Sequence, residues 1–188
     1  MPGAVFLAGE LVSLRTVERE DLSFLHRNRN DPTIRRWMPR VMPQNKERLV
    51  EDFEGYMSED EGVNLLACSE ENTDEDSSPE PVGFVSLFDV NETSGRAKLA
   101  AWITPAQQGQ GYATEAMDLL VEYAFVERRL HKLIAGALAT NNASCEVLEK
   151  LGFIEEGRQR EYYYVNGEYV NRAVYGLLKD QWQSQITE

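Results

Sequence analysis

The sequence predicts an α+β fold, with a mixed, mainly antiparallel central sheet flanked by helices. Three observations carry that prediction. Apolar runs of strand length recur between polar turns, and separate stretches carry a helical apolar period instead. The third is Asn166-Gly167, which sits between two long strand-like segments. Asn-Gly is the pair favoured in a two-residue type I′ turn, so those segments should form an antiparallel hairpin. The chain has 188 residues, 42% of them apolar, enough for one domain with a full core over residues 1–188.

Residues 11–16 (LVSLRT) alternate apolar and polar positions and read as a strand. Residues 18–29 carry Leu22, Leu25 and His26 at helical spacing, and Asp31-Pro32 ends that helix. Asn45 is placed to cap a second helix in which Leu49, Phe53, Tyr56 and Met57 share a face. Residues 63–68 and 82–88 are apolar runs of strand length. Residues 69–81 (SEENTDEDSSPEP), between them, contain nothing apolar and read as an acidic, solvated hairpin loop. Residues 97–103 form a strand ended by Thr104-Pro105, and residues 107–111 a polar turn. A 3.6 period through Ala116, Leu119, Leu120 and Tyr123 predicts a helix from Tyr112 to about Arg129. Then come a strand at 132–139, a helix at 143–151 stopped by Gly152, and hairpin strands at 153–165 and 168–178.

Composition excludes several classes of function. The 32 acidic and 19 basic side chains leave a net charge of −13, which argues against a nucleic-acid partner. No apolar run approaches the ~18 residues that span a bilayer, so no membrane partner is expected. The opening MPGAVFLAGE lacks the basic region of a secretory signal. Cys68 and Cys145 cannot build a disulfide framework, and a reducing, cytoplasmic setting fits them. His26 and His131 have no metal-ligand spacing near them, so no metal is expected. The 14 arginines outnumber 5 lysines; so few lysines, with the acid excess, suit a high-salt cytoplasm that screens self-repulsion.

The chemistry concentrates in residues 97–116 (AKLAAWITPAQQGQGYATEA), which run strand, glycine loop, helix. That arrangement aims unpaired backbone N–H groups at an anion. Gly109 and Gly111 lack a Cβ, so the chain can curl and a phosphate can come close. A Walker loop needs Lys-Ser/Thr after the second glycine, where Tyr112-Ala113 stand. A dinucleotide fingerprint needs Gly or Ala where Thr114 stands. Both nucleotide readings fail on residue type.

Gln108-x-x-Gly111-x-Ala113, continuing through Thr114-Glu115-Ala116, resembles the pyrophosphate motif of the GNAT acyl-CoA-dependent N-acetyltransferases. Asn141-x-x-Ser144 with Leu148-Glu149-Lys150-Leu151-Gly152-Phe153 resembles a second motif of that superfamily. Gly9-Glu10, Leu14-Arg15, Val82-Gly83-Phe84 and Asn166-Gly167 extend the likeness over nearly the whole chain, closest to the RimJ/RimL-like ribosomal-protein branch. The resemblance implies a GNAT fold whose splayed strands form a cleft for acetyl-CoA. It implies that backbone N–H groups of Gly109, Gln110, Gly111, Tyr112, Ala113 and Thr114, beside Gln108, hold the pyrophosphate. It implies a backbone donor for the thioester oxygen within Ala101, Trp102 and Ile103, with Ile103 first. Asn141 then has a positional role, on a pantetheine carbonyl or as a helix cap.

The tyrosine acid usual in the superfamily falls at Leu148 here, so that acid is absent. By resemblance to the RimL-like branch, Ser144 takes the acid role and Glu161 the base role, though Tyr163 is the nearer match at that position. Period-two alternation would put 161 and 163 on one strand face. Glu10, Glu92 and a water chain are weaker routes for the amine proton. The implied reaction is acetyl transfer to a primary amine in a ternary complex, the acceptor being a protein N-terminal α-amine. The alternatives are a small amine (amino acid, polyamine or antibiotic) and a CoA-binding sensor without transfer. The working chain is expected to be a monomer or homodimer.

Overall fold

A computed structural model describes residues 2–38, 42–58, 62–71 and 79–186. Eight strands form one sheet: β1 (Val5–Ala8), β2 (Val12–Thr16), β3 (Val63–Ser69), β4 (Pro81–Asn91), β5 (Arg96–Ile103), β6 (Lys132–Leu138), β7 (Ile154–Val165) and β8 (Glu168–Leu178). Their order across the sheet is β1-β2-β3-β4-β5-β6-β8-β7. Six of the seven neighbouring pairs are antiparallel, and only β5 and β6 run parallel. A parallel pair needs a crossover, and α4 (Tyr112–Val126) supplies it. The parallel ladder stops at Leu99↔Ala135. Beyond it β5 and β6 continue without pairing, so the sheet parts at their C-terminal ends.

The two sheet faces bury different partners. On one, α4 packs Ala116, Leu120 and Ala124 against Leu99, Leu133 and Tyr175. On the other, α1 (Leu22–Asn30) and α3 (Lys46–Glu54) pack Leu25 and Leu49 against Leu66, Phe84 and, at the edge, Trp102. Between them lies the one-turn α2 (Pro32–Arg35), while α5 (Asn142–Lys150) and α6 (Lys179–Ile186) complete the helices.

Local signals predict the turns well. Asn166 (φ +53°) and Gly167 (φ +90°) both lie in the left-handed region a type I′ turn requires. Asn45 Oδ1 accepts the Arg48 N–H at 2.9 Å, which caps α3. Elsewhere the structure corrects the expectation. The first helix opens as a 3-10 turn, Arg19–Asp21, held by reciprocal Glu18–Asp21 capping, and α1 proper begins at Leu22. The crossover helix ends at Val126 rather than near Arg129, because Arg129 turns left-handed (φ +54°) and sends Leu130 back to the Ala124 carbonyl. Strand β1 and helix α6 are additions; neither is long enough to show a clear period. Residues 72–78 of the expected 69–81 loop lie outside the described residues. Among the described residues no helix is long and apolar enough to cross a membrane.

Candidate active site at the parting of two strands

The loop after β5 has two left-handed positions, Gly109 (φ +82°) and Gly111 (φ +89°), where a Cβ would be strained. Gly111 is also the N-cap of α4, and no side chain among the described residues caps that helix. The N–H groups of its first turn therefore face outward with the positive end of the helix dipole behind them. A Cβ on Gly109 would meet nothing within 4 Å, so the loop borders open space.

The loop's side chains are occupied elsewhere. Gln108 Nε2 donates to the Ile103 carbonyl at 3.1 Å, tying the loop to the end of β5. Gln110 Nε2 donates to Gln107 Oε1 at 2.7 Å. The Tyr112 ring is buried, its hydroxyl 3.2 Å from Ser69 Oγ. What the loop itself offers an anion is backbone N–H, held in shape by its own side chains.

The backbone of β5 resolves residues 101–103. Thr104 N–H donates to the Val82 carbonyl on β4 at 2.8 Å. N–H directions alternate along a strand, so Trp102 also faces β4, while Ala101 and Ile103 aim their N–H groups at the parting. Trp102 is corrected as a direct donor to the cleft. Its ring lies on the other face, stacked with Phe24 (5.7 Å between centroids) and Phe84 (6.1 Å).

Helix α5 starts on the far lip of the parting. Asn141 Oδ1 accepts the Ser144 N–H at 3.2 Å, so Asn141 caps the helix and holds Ser144 in its first turn. Ser144 is half-buried, and Leu148 one turn on is buried in the core. Below α5, the buried Tyr175 donates its hydroxyl to Glu149 Oε1 at 3.1 Å. Burial, then the Cys145 thiol and the Glu149 carboxylate, push this phenol well above its usual range.

Glu161 does not follow strand alternation. It has φ +49°, its N–H donates to Asn171 Oδ1 at 2.9 Å, and its side chain is exposed. Register passes from Gln159↔Arg172 to Tyr163↔Val170, so β7 carries extra residues there. The period-two argument linking 161 to 163 is thereby interrupted. Glu161 and Arg160 line a surface recess of ≈ 510 Å³. Glu92 is corrected as a base candidate: it pairs with Arg128 at 3.7 Å in the β4–β5 turn, at the opposite end of β5 from the loop.

One residue missed by sequence reasoning is Glu115. Its carboxylate accepts the backbone N–H groups of Glu10, Leu11 and Val12, each at 2.8 Å. A Cβ on Gly9 would lie 2.9 Å from Glu115 Cδ, so Gly9 makes room for this clamp. The Gly9-Glu10 pair was the available signal.

The sequence pattern of the Acetyltransferase (GNAT) domain family matches residues 12–154. The chain is 29% identical over 174 residues to "Spermidine N(1)-acetyltransferase" of Escherichia coli (strain K12), covering 93% of this chain and 89% of that protein. It is 35% identical over 103 residues to "Putative ribosomal N-acetyltransferase YdaF" of Bacillus subtilis (strain 168), covering 55% of this chain and spanning only 56% of that protein. The fold matches the crystal structure of spermidine N-acetyltransferase from Vibrio cholerae in complex with CoA and spermine, with a TM-score of 0.84 at 23% identity over 93% of this chain and 99% of that one. The chain belongs to the GNAT family and is an acetyl-CoA-dependent N-acetyltransferase.

Proposed function

We propose that the chain transfers acetyl from acetyl-CoA to a primary amine by direct attack in a ternary complex, the amine arriving on the sheet face that carries α1 and α3. The observation that supports this most is the parting of β5 from β6 beneath the uncapped N-terminus of α4. In this reading the backbone N–H groups of residues 109–114 hold the pyrophosphate and the pantetheine arm lies along the parting. Ile103, with Ala101 behind it, donates its N–H to the thioester oxygen. A preorganised donor of this kind contributes about 3 kcal/mol to lowering the barrier. The amine nitrogen bonds to the carbonyl carbon, the C–S bond breaks, and the amine proton leaves to Glu161 through water. Ser144 delivers a proton to the departing thiolate, and Asn141 fixes Ser144 in place.

For the acceptor, a protein N-terminal α-amine follows from the likeness to the ribosomal relative and the RimJ/RimL-like motifs. A small amine is supported at least as well, because the similarity to a spermidine acetyltransferase extends over 93% of the chain. The net charge of −13 attracts either cation. A thiol-release assay with acetyl-CoA across N-terminal peptides and small amines tests the reading. Release with a defined acceptor class is expected. CoA binding without release for any acceptor would leave a binding module instead.

A further inference from the structure

Three cations on the same half of the sheet as Arg172 have carboxylate partners. Lys132 pairs with Glu156 at 2.6 Å, Arg158 with Glu155 at 2.6 Å, and Lys98 with Asp89 at 2.5 Å. Arg172 is half-buried, yet among the described residues it has no ion pair. Its side chain makes one hydrogen bond, Nη1 to Gln159 Oε1 at 3.3 Å, and its buried Nε has no acceptor. The guanidinium lies over the Tyr162 ring, 5.4 Å from the centroid. In a chain with 32 carboxylates and 19 cations, a guanidinium left without a carboxylate is a costly arrangement.

Its position gives that arrangement a use. The residues of β8 that pack into the α4 core are Ala173, Tyr175 and Leu177, so Arg172 points to the opposite face, the one with α1 and α3. Its Nε and Nη2 both lie 2.5 Å from where a Cβ on Gly136 would be. Gly136 is the first residue of β6 beyond the last β5 pairing, at the base of the parting. Any side chain at 136 would displace the guanidinium. Tyr163 stands beside it; burial raises this phenol, which feels the charges of both Arg172 and Lys98 across the strands. That face therefore carries, next to the proposed place of transfer, a guanidinium packed over Gly136 that has no carboxylate partner among the described residues.

Building on the proposed acetyl transfer, we infer that Arg172 selects the acceptor by receiving a carboxylate, so that the substrate is an amine that also bears a carboxylate. A guanidinium N–H donates a charge-assisted hydrogen bond to a carboxylate, and a purely cationic polyamine would meet repulsion at the same point. The carboxylate can be the α-carboxylate of an amino acid or the side chain of an acidic N-terminal residue, and matched acceptors separate these sources.

The test measures kcat/KM by thiol release for paired acceptors: an amino acid against its amide, Asp-Ala-amide against Asn-Ala-amide, and spermidine. Wild type should favour the carboxylate member of one pair by at least tenfold, and that pair names the source. Arg172→Gln should bring the ratio near one, chiefly through KM, and Arg172→Lys should restore part of it. The ratio within a pair does not depend on how much of a variant is folded. Transfer without preference within either pair, preference for spermidine over every carboxylate acceptor, or an Arg172→Gln enzyme that keeps the wild-type ratio would overturn the inference while leaving acetyl transfer intact. No thiol release with any acceptor would remove the transfer reading itself.

Discussion

Glu115, in the first turn of α4, accepts the Leu11 backbone N–H at 2.8 Å and fastens the β1–β2 turn to the helix that faces the glycine loop. A carboxylate near the proposed phosphate site would normally repel its ligand, but three N–H groups here absorb the charge. Glu115→Ala should cost about 3 kcal/mol of stability, since hydrogen bonds to charged groups contribute ~1.5–3 kcal/mol each and their partners are partly solvated afterwards. Glu115→Gln should fold, raise the KM for acetyl-CoA several-fold and leave kcat close to wild type. Denaturant melts and steady-state kinetics check both. An unchanged KM would confine Glu115 to a packing role.

Ser144 and Glu161 carry the proposed proton transfers. Ser144→Ala and Glu161→Gln should each lower kcat by about 10–100-fold, below most of the ~10²–10⁴-fold typical of acid–base groups, because water can substitute for both. Acetyl-CoA affinity by calorimetry should barely move. Wild-type turnover in either variant removes that residue from the chemistry.

The contrast between these residues shows what could be read from the sequence. Asn45, Asn166-Gly167 and Gly152 (φ +80°) act on their immediate neighbours, so their caps and turns are visible in a few letters. The glycine loop is visible for the same reason. Glu161 behaves differently because its left-handed backbone is held by Asn171, ten residues away on the next strand. Glu115 reaches partners more than 100 positions distant, and Arg172 depends on the bare Cα of Gly136. No local pattern encodes such pairings; they arise when the sheet brings distant segments together.

Asp21 provides a pH-dependent test of the helix start. Asp21 is buried, and burial raises its pKa above 3.8, outweighing the Glu18 N–H that it accepts at 2.9 Å. A raised folded-state pKa means that folding favours the protonated acid. The associated stability is full below pH 3.8 and is lost as pH rises through the folded value. Asp21→Asn keeps the acceptor and removes the buried charge, so it should raise Tm at pH 7, with the gain shrinking as pH falls toward 4. A lower Tm at pH 7 would show that the charged hydrogen bond dominates instead.

In the proposed site, backbone dipoles at the glycine loop hold the pyrophosphate of acetyl-CoA against the charge of the whole protein. Gly109 allows a test by charge alone. Its φ is +82°, a region that Asn and Asp tolerate better than other side chains, and a Cβ there meets nothing within 4 Å. Acetyl-CoA titrated calorimetrically into Gly109→Asn and Gly109→Asp compares two nearly isosteric side chains. The Asn variant should stay within about tenfold of wild type, and the Asp variant should bind at least tenfold more weakly than the Asn variant at low salt, the gap narrowing as salt screens it. Equal affinities for the two variants would mean that the pyrophosphate does not sit at the loop.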